Sequence, residues 1–275
     1  MSISFDYDVI IAGGGPAGSS AAIHLAQRGA RVLLAEQKKF PRAKLCGEFI
    51  SPECAVHFER LGVAEQIFAA APANLTETVF YSKNGSRVRV PSHWFTGGGA
   101  ALGLSRAEMD ERLLRRAADL GVEIREDSQV VNLILEGQKV TGATIRSNGA
   151  QESFTAPLAI DATGRTRALA RMVERTGRTQ TQSRRAAVVA FKAHLRNTRV
   201  APGACEIYFY PRGYGGLSTI ENGVSNLCFI ASARDARACH SDTNRIMREI
   251  VCQNRRASEA LKDAVAHSEW LAVSL

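Results

Sequence analysis

The chain has 275 residues, 45% hydrophobic and 23% charged, with a formal net charge of +8. This is the balance of an ordinary globular protein, long enough for one large domain or two smaller ones. No apolar run approaches the roughly 18 residues of a membrane span. The six cysteines and six histidines show neither C-x-x-C nor H-E-x-x-H spacing, which argues against a metal site or a disulfide framework and for reduced, packed thiols.

The amino terminus enters a strand pattern at once, without the charged and apolar segments of a secretion signal, so a cytoplasmic location is expected. "YDVIIAGGGPAGSSAAIHLAQRGARVLLAEQ" reads as strand, turn, helix, strand. Val9 to Ala12 and Arg31 to Glu36 are the buried strands, and Pro16 to Arg28 is the helix, stopped by Gly29. Between them lies Gly13-x-Gly15-x-x-Gly18. Gly13 suits the tight turn, Gly15 the approach of a pyrophosphate, and Gly18 close packing of helix on strand. The helix N-terminus, with Pro16 and Ala17, offers free amides and a positive dipole end to phosphates. Glu36, followed by Gln37, ends the second strand where an acid would accept ribose hydroxyls and repel a 2′-phosphate. The ligand expected here is FAD or NAD.

"PRAKLCGEFIS" follows, with Cys46 before Gly47. On its own Cys46 is one thiol among six and reads first as a packed thiol, with nucleophile, redox centre and metal ligand as the alternatives. "LSRAEMDERLLRRAADLG" opens on a capping box, Ser105 with Glu108, and carries Met109, Leu113, Ala117 and Leu120 as a helical stripe. Arg106 in its first turn is either a cation directed at the dinucleotide or a surface residue. "GVEIRED" is a short strand. "SQVVNLILEGQKVTGATIRSNGAQESFTAP" is a three-stranded meander with turns at Glu136-Gly137 and at Ser147-Asn148-Gly149. "LAIDATG" returns to the sheet and places Asp161 and Gly164 at its carboxyl edge, where ligands bind, although Asp161 could equally cap the next helix. A meander in place of a crossover helix favours FAD over a nicotinamide alone. The expected fold is therefore α/β, a Rossmann-like FAD/NAD(P)-binding domain with a β-meander crossover.

After about Arg175 the pattern changes to antiparallel strands, "RRAAVVAFKAHL", "CEIYFYPRG", "GYGGLSTIE" and "VSNLCFIASA", then one helix, "SDTNRIMREIVCQN". This is an α+β antiparallel sheet, expected to be joined by Thr78 to Pro91. The domains would interleave, with 1–75 and 100–175 binding the cofactor and 76–99 and 176–275 forming a sheet that the flavoprotein resemblance given below implies is substrate-side. From Arg165 to Arg199 the only acid is Glu174. Such a stretch is either a solvated positive face or a site for phosphates, an acidic carrier or anionic lipid. No aromatic-interleaved or helix-turn-helix pattern accompanies it, so no nucleic-acid partner is expected.

These segments together resemble the flavoprotein group of p-hydroxybenzoate hydroxylase, the flavin halogenases and the geranylgeranyl reductases. "PRAKLCGEFIS" is similar to the P-R-x-K-x-C-G segment of the geranylgeranyl reductases. The resemblance implies FAD, with Arg106 as a cofactor contact, the Val130 backbone at the adenine, and Cys46 and Gly47 along the flavin. It implies an oxidoreductase that reduces a C=C bond of an apolar isoprenoid or polyketide-like substrate, phosphorylated or carrier-bound or neither, with NAD(P)H as electron source and peripheral membrane contact left open. The alternative is a flavin monooxygenase. Cys46, Tyr214 and Glu221 are the candidate proton donors, and no spacing singles one out.

The chain departs from that family twice. Where geranylgeranyl reductases have G-Y-x-W-x-F-P, it has "GYGGLSTIENG". Tyr214 is kept, but Gly216, Ser218 and Thr219 replace Trp, Phe and Pro, which should widen or reshape the pocket. The W-x-W-x-I-P of the halogenases is missing too. The family also carries a G-D-A-A-G-like motif after the substrate sheet, whereas the sequence ends at "HSEWLAVSL". It is therefore read as a fragment, with a truncated, non-catalytic FAD-binding remnant as the alternative.

Overall fold

The structure is a computed structural model that describes residues 4–96, 98–175 and 187–275. The chain divides into two compact units. One comprises Met1–Arg42, Arg60–Val63 and Ala107–Gln182, the other Ala43–Glu59, Ala64–Arg106 and Ser183–Leu275.

The first unit is built on a four-stranded parallel sheet in the order Ala159–Asp161, Val9–Ala12, Val32–Ala35, Glu123–Arg125. Both central strands are buried along their whole length, as unbroken apolar runs in a doubly covered parallel sheet must be. One face, Ile10, Ala12, Leu33 and Ala35, packs on Val130, Leu133, Ala143, Ile145 and Phe154 of a meander. Its strands are Ser128–Glu136, Lys139–Ser147 and Ala150–Thr155. The second turn is tight because Asn148 (φ 49°) and Gly149 (φ 82°) both adopt left-handed backbone. The helix Pro16–Ala26 links the first two strands. The helix Arg106–Asp119 buries Asp110, Leu113, Leu114 and Ala117, so the expected stripe is rotated. Met109 and Leu120 are only half-buried, and Asp110 takes a core position because Arg42 pairs with it.

The second unit carries a large sheet in the order Val265–Ala266, Val188–Arg196, Ser225–Ser232, Gly213–Thr219, Ala204–Tyr210, Glu77–Tyr81, Arg87–Pro91, with Leu271–Ser274 also pairing on Val188–Arg196. The two strands from the Thr78 to Pro91 region join it through a parallel pairing of Glu77–Tyr81 with Ala204–Tyr210. A small sheet of Phe49–Ile50, Ala101–Gly103 and Ala73–Leu75 completes the unit.

The two faces of the large sheet differ in kind. One is apolar: Tyr81, Phe191, Ala193, Tyr208, Leu217, Leu227 and Phe229 pack with Ile246, Met247, Val251 and Ala257 from the C-terminal helices. The other follows from the strand registers. Lys192, Cys228, Gly216 and Ile207 form one cross-strand row, and His194, Asn226, Ser218 and Cys205 the next. Alternation along a strand sends these residues opposite to the apolar set.

The segment expected as one helix from Ser241 to Asn254 is broken. Asp242 caps Thr243–Glu249 by accepting from the Arg245 amide, and Asn254 starts a separate helix, Arg255–Ala260. Asn254 is fully buried. Its Nδ2 reaches the carbonyls of Tyr81, Ser82 and Phe209 at 3.0–3.1 Å, and its Oδ1 accepts from the Ala257 amide. The first helix already ends at Glu249 and a tight turn, Val251–Gln253, follows; Asn254 is itself extended (φ −78°, ψ 125°), as a residue that caps the next helix while binding three carbonyls must be. Asn254→Ala is expected to cost about 2–3 kcal/mol, one cap plus orphaned carbonyls. A urea unfolding midpoint unchanged from wild type would refute this.

Candidate functional site

In the first unit, Gly13 turns the chain with φ 106°. A Cβ on it would lie 2.5 Å from the Ala162 carbonyl oxygen, and one on Gly18 would lie 1.8 Å from the Gly13 carbonyl oxygen. Both positions admit only glycine. Gly15 precedes the helix in extended conformation and gives it no side-chain cap, and Pro16 follows at the first turn. Ala17 is exposed beside them. The first turn of the helix is thus left to whatever approaches it.

Glu36 is buried, and both its oxygens accept backbone amides, Gly14 at 2.8 Å and Lys38 at 2.9 Å. Each oxygen retains a lone pair. Gln37 is exposed next to it. Arg42, which sequence reasoning did not single out, stands 3.7 Å from Glu36 and 3.3 Å from Asp110, with its guanidinium 4.7 Å above the Phe40 ring. Its Nη1 is buried and faces the Asp110 carboxylate, an ion pair outside hydrogen-bond geometry. Arg42 offsets part of the negative charge at Glu36, so the repulsion of a 2′-phosphate argued from Glu36 alone is weaker than expected. Its signal was the Pro-Arg pair opening "PRAKLCGEFIS". Val130 is buried in the meander, and a bulge at Val131 interrupts the ladder beside it. These features suit a dinucleotide: a cradle that a Cβ would fill, an uncapped helix start and a buried carboxylate.

Asp161 sits at the carboxyl edge of the sheet, as expected, but its carboxylate is committed elsewhere. Oδ1 accepts from the Thr163 amide and hydroxyl, and Oδ2 from the Ala170 amide in the first turn of Ala168–Arg175. Partial burial pushes this carboxyl up, but those bonds and one from the Leu169 amide outweigh it and hold it below its ordinary range. Of the two roles open to Asp161, helix capping is the one its geometry serves. Gly164 follows with φ 69° and open space around its Cα.

In the second unit, the tract holding Cys46 and Gly47 crosses the polar face of the large sheet. Asn226 Nδ2 donates to the Cys46 carbonyl at 3.2 Å, and Lys192 Nζ to the Lys44 carbonyl at 3.3 Å. Glu48 is buried among Lys192 Nζ, His194 Nε2 at 2.7 Å and the Arg106 amide at 2.9 Å. Burial pushes the Glu48 carboxyl up, but the hydrogen bond with His194, the Lys192 ammonium and the Arg106 amide prevail and hold it below its ordinary value. Burial drives the Cys228 thiol up to about 11, with Cys46 and Glu48 adding and Lys192 opposing. Arg106 contributes its amide here, and its side chain is half-buried. Glu48, Lys192, His194 and Asn226 were all missed from sequence.

Two proton-donor candidates find other settings. Glu221 is buried and accepts from the Ser105 amide at 2.8 Å, which commits one of its carboxylate oxygens. Glu108 pairs with Arg112. Tyr214 is half exposed at 50%, tilted against Phe209. Beside it, Ile207 Cδ1 lies 3.2 Å from where a Gly216 side chain would begin, so Ile207 fills part of the space a Trp would take.

All six cysteines are free thiols. Among the described residues, no group of His, Cys, Asp or Glu is placed to hold a metal ion, and no helix is long and apolar enough to cross a membrane. The basic stretch Arg165 to Arg199 includes 176–186, which lie outside the described residues. Of its other cations, Arg167 pairs with Glu174, Lys192 with Glu48 and Arg199 with Asp263.

The FAD binding domain family matches residues 6–273. The chain belongs to that family. A flavoprotein resemblance is thereby confirmed, and FAD is the cofactor such a domain holds. The FAD-binding chain is 33% identical over 167 residues to the digeranylgeranylglycerophospholipid reductase of Sulfolobus acidocaldarius, covering 58% of itself and 34% of that protein. It is 30% identical over 177 residues to a flavin-dependent halogenase of Armillaria mellea, covering 57% and 32%. It spans about a third of the length of these two relatives. A geranylgeranyl bacteriochlorophyll reductase-like protein of Thermoplasma acidophilum shares its fold, with TM-score 0.78, 22% identity, and coverage of 98% of this chain and 66% of that one.

Proposed function

We propose that this chain is the FAD-holding part of an oxidoreductase that reduces a C=C bond of an apolar, isoprenoid-like substrate with NAD(P)H as electron source. The observation that carries the reading is the "PRAKLCGEFIS" tract, whose Cys46 carbonyl and Glu48 side chain are both fastened to the polar face of the large sheet. The reductase name of the Sulfolobus relative supports the substrate class. In this reading Gly13, Gly15, Pro16, Ala17 and Gly18 receive the pyrophosphate. Glu36 and Gln37 meet the ribose, Val130 the adenine, Arg106 the phosphate side, and Cys46 with Gly47 the flavin. Bound FAD supplies hydride transfer; the protein's part is to orient it and keep water away. Cys46 remains the candidate to hold the proton that completes the reduction, since Glu221 is committed to the Ser105 amide and Tyr214 is half exposed.

A second reading, hydroxylation of an aromatic or polyketide ring, is favoured by one feature. Gly216 and Ser218, beside Asn226, make the sheet face smaller and more polar than two large rings would. The separating experiment adds FAD to the purified protein and follows the band near about 450 nm, a property of the cofactor itself. NAD(P)H oxidation is then followed with a geranylgeranyl lipid, with and without oxygen. Substrate-dependent NAD(P)H oxidation under anaerobic conditions is the expected result. Oxygen consumed one-for-one with substrate would replace the reductase by the hydroxylase. A protein that stays colourless with excess FAD would sink both.

A further inference from the structure

The polar face of the large sheet does something unusual to Lys44–Glu48. Two alternate carbonyls are claimed from the sheet, Lys44 by Lys192 Nζ at 3.3 Å and Cys46 by Asn226 Nδ2 at 3.2 Å, and the next, Glu48, is claimed from outside it by the Leu104 amide at 3.2 Å. The Glu48 amide turns back onto Cys46 Sγ at 3.4 Å. Glu48 itself holds φ 53°, a left-handed backbone that a non-glycine residue keeps only where its surroundings impose it. Those surroundings are Lys192, His194 and the Arg106 amide on its carboxylate. Between the claimed carbonyls, Leu45 and Gly47 give neither N–H nor C=O to another group among the described residues. A Cβ on Gly47 would meet nothing within 4 Å.

A lysine and a glutamate buried to 2% exposure each are not explained by stability. A buried ion pair is commonly no better than well-packed apolar side chains of the same volume, and its best-attested use is to fix one arrangement. Asn226 points the same way: it is 1% exposed, and its Oδ1 has no hydrogen-bond partner. It accepts an unsatisfied oxygen in return for one bond from Nδ2 to Cys46.

We propose that Lys192 and Asn226, with Glu48 and His194, are positioning residues: they hold the peptide groups of Leu45 and Gly47 unclaimed and in place for the polar edge of the flavin ring. This rests on the FAD reading above and adds to it the residues that set the geometry of the flavin-facing backbone. They act through the tract and need not touch the cofactor.

The test is an FAD titration, read by flavin fluorescence and by the shape of the visible band, paired with thermal unfolding without FAD. Asn226→Leu removes the bond to Cys46 and also the unsatisfied Oδ1, so its unfolding temperature is expected to stay near wild type. Its FAD affinity is expected to fall about tenfold, the equivalent of about 1.4 kcal/mol, with a shifted visible band. Lys192→Met should fall further, and Lys192→Arg, which keeps donors and charge, should recover part of the loss. Should Lys192→Met fail to fold, Asn226→Leu decides alone, since it alters no charge. Asn226→Leu that binds FAD with wild-type affinity and an unchanged band overturns the proposal while leaving the FAD reading intact. A wild-type protein that takes up no FAD overturns both.

Discussion

Gly18→Ala is expected to abolish measurable FAD binding and to destabilise the first unit. The added Cβ would lie 1.8 Å from the Gly13 carbonyl oxygen and 3.1 Å from Ala162 Cβ. Neither can step aside. The Gly13 amide is bonded to the Ala35 carbonyl at 2.8 Å, and the Ala162 amide to the Ala12 carbonyl at 2.9 Å, so both belong to the parallel sheet. Relief must come from moving the helix Pro16–Ala26 outward, and that displaces the uncapped turn offered to the pyrophosphate. Overpacking of this kind costs about 1–3 kcal/mol, and more where backbone is the obstacle. Gly47→Ala is the instructive contrast, because open space surrounds Gly47. It should leave the unfolding midpoint within about 0.5 kcal/mol of wild type, as for surface substitutions, yet weaken FAD binding. Urea unfolding and FAD titration of both variants separate the two kinds of crowding. Equal losses of stability would refute the assignment of Gly47 to a ligand-facing position.

The contrast also marks what was legible in the sequence. The cradle was legible because its cause is local: glycines at fixed offsets between a buried run and a helix, with an acid at the end of the next buried run. The meander was legible for the same reason, since Glu136-Gly137 and Ser147-Asn148-Gly149 state their turns in place. Lys192 and His194 were not. In "AFKAHL" they alternate with apolar residues, which is also the pattern of a strand with one solvated face. Only the partner distinguishes the cases, and Glu48 lies 144 residues before Lys192. Asp161 was legible in position and ambiguous in role, because a carboxylate at a sheet edge can serve a ligand or the next helix, and the choice depends on where the Ala170 amide comes to rest. The role of Asn254 was hidden for a similar reason. Binding carbonyls of strands 45 to 173 residues away leaves no trace in its neighbours.

Glu48→Gln should be the most destabilising conservative change in the second unit. It leaves the Lys192 ammonium buried with no counter-charge on Glu48 and only the Lys44 carbonyl and a neutral amide to accept from it. Removing one partner of a buried pair costs about 3–5 kcal/mol. The double variant Glu48→Gln with Lys192→Met should be less destabilised than Glu48→Gln alone, since no charge is then stranded. A double variant as unstable as the sum of the two singles would show that the pair is not coupled. The pH dependence has a fixed sign. The folded carboxyl of Glu48 lies below its ordinary value of 4.5, held there against burial by His194, Lys192 and the Arg106 amide. Its contribution to stability is therefore fully present above pH 4.5 and is lost as the pH falls through the depressed folded value. Wild type should lose stability along that acid limb more steeply than Glu48→Gln, which has no proton to take up at this position. Parallel acid limbs for the two proteins would place the charge of Glu48 outside the energetics of the fold, and with it the reason the tract above the sheet holds its shape.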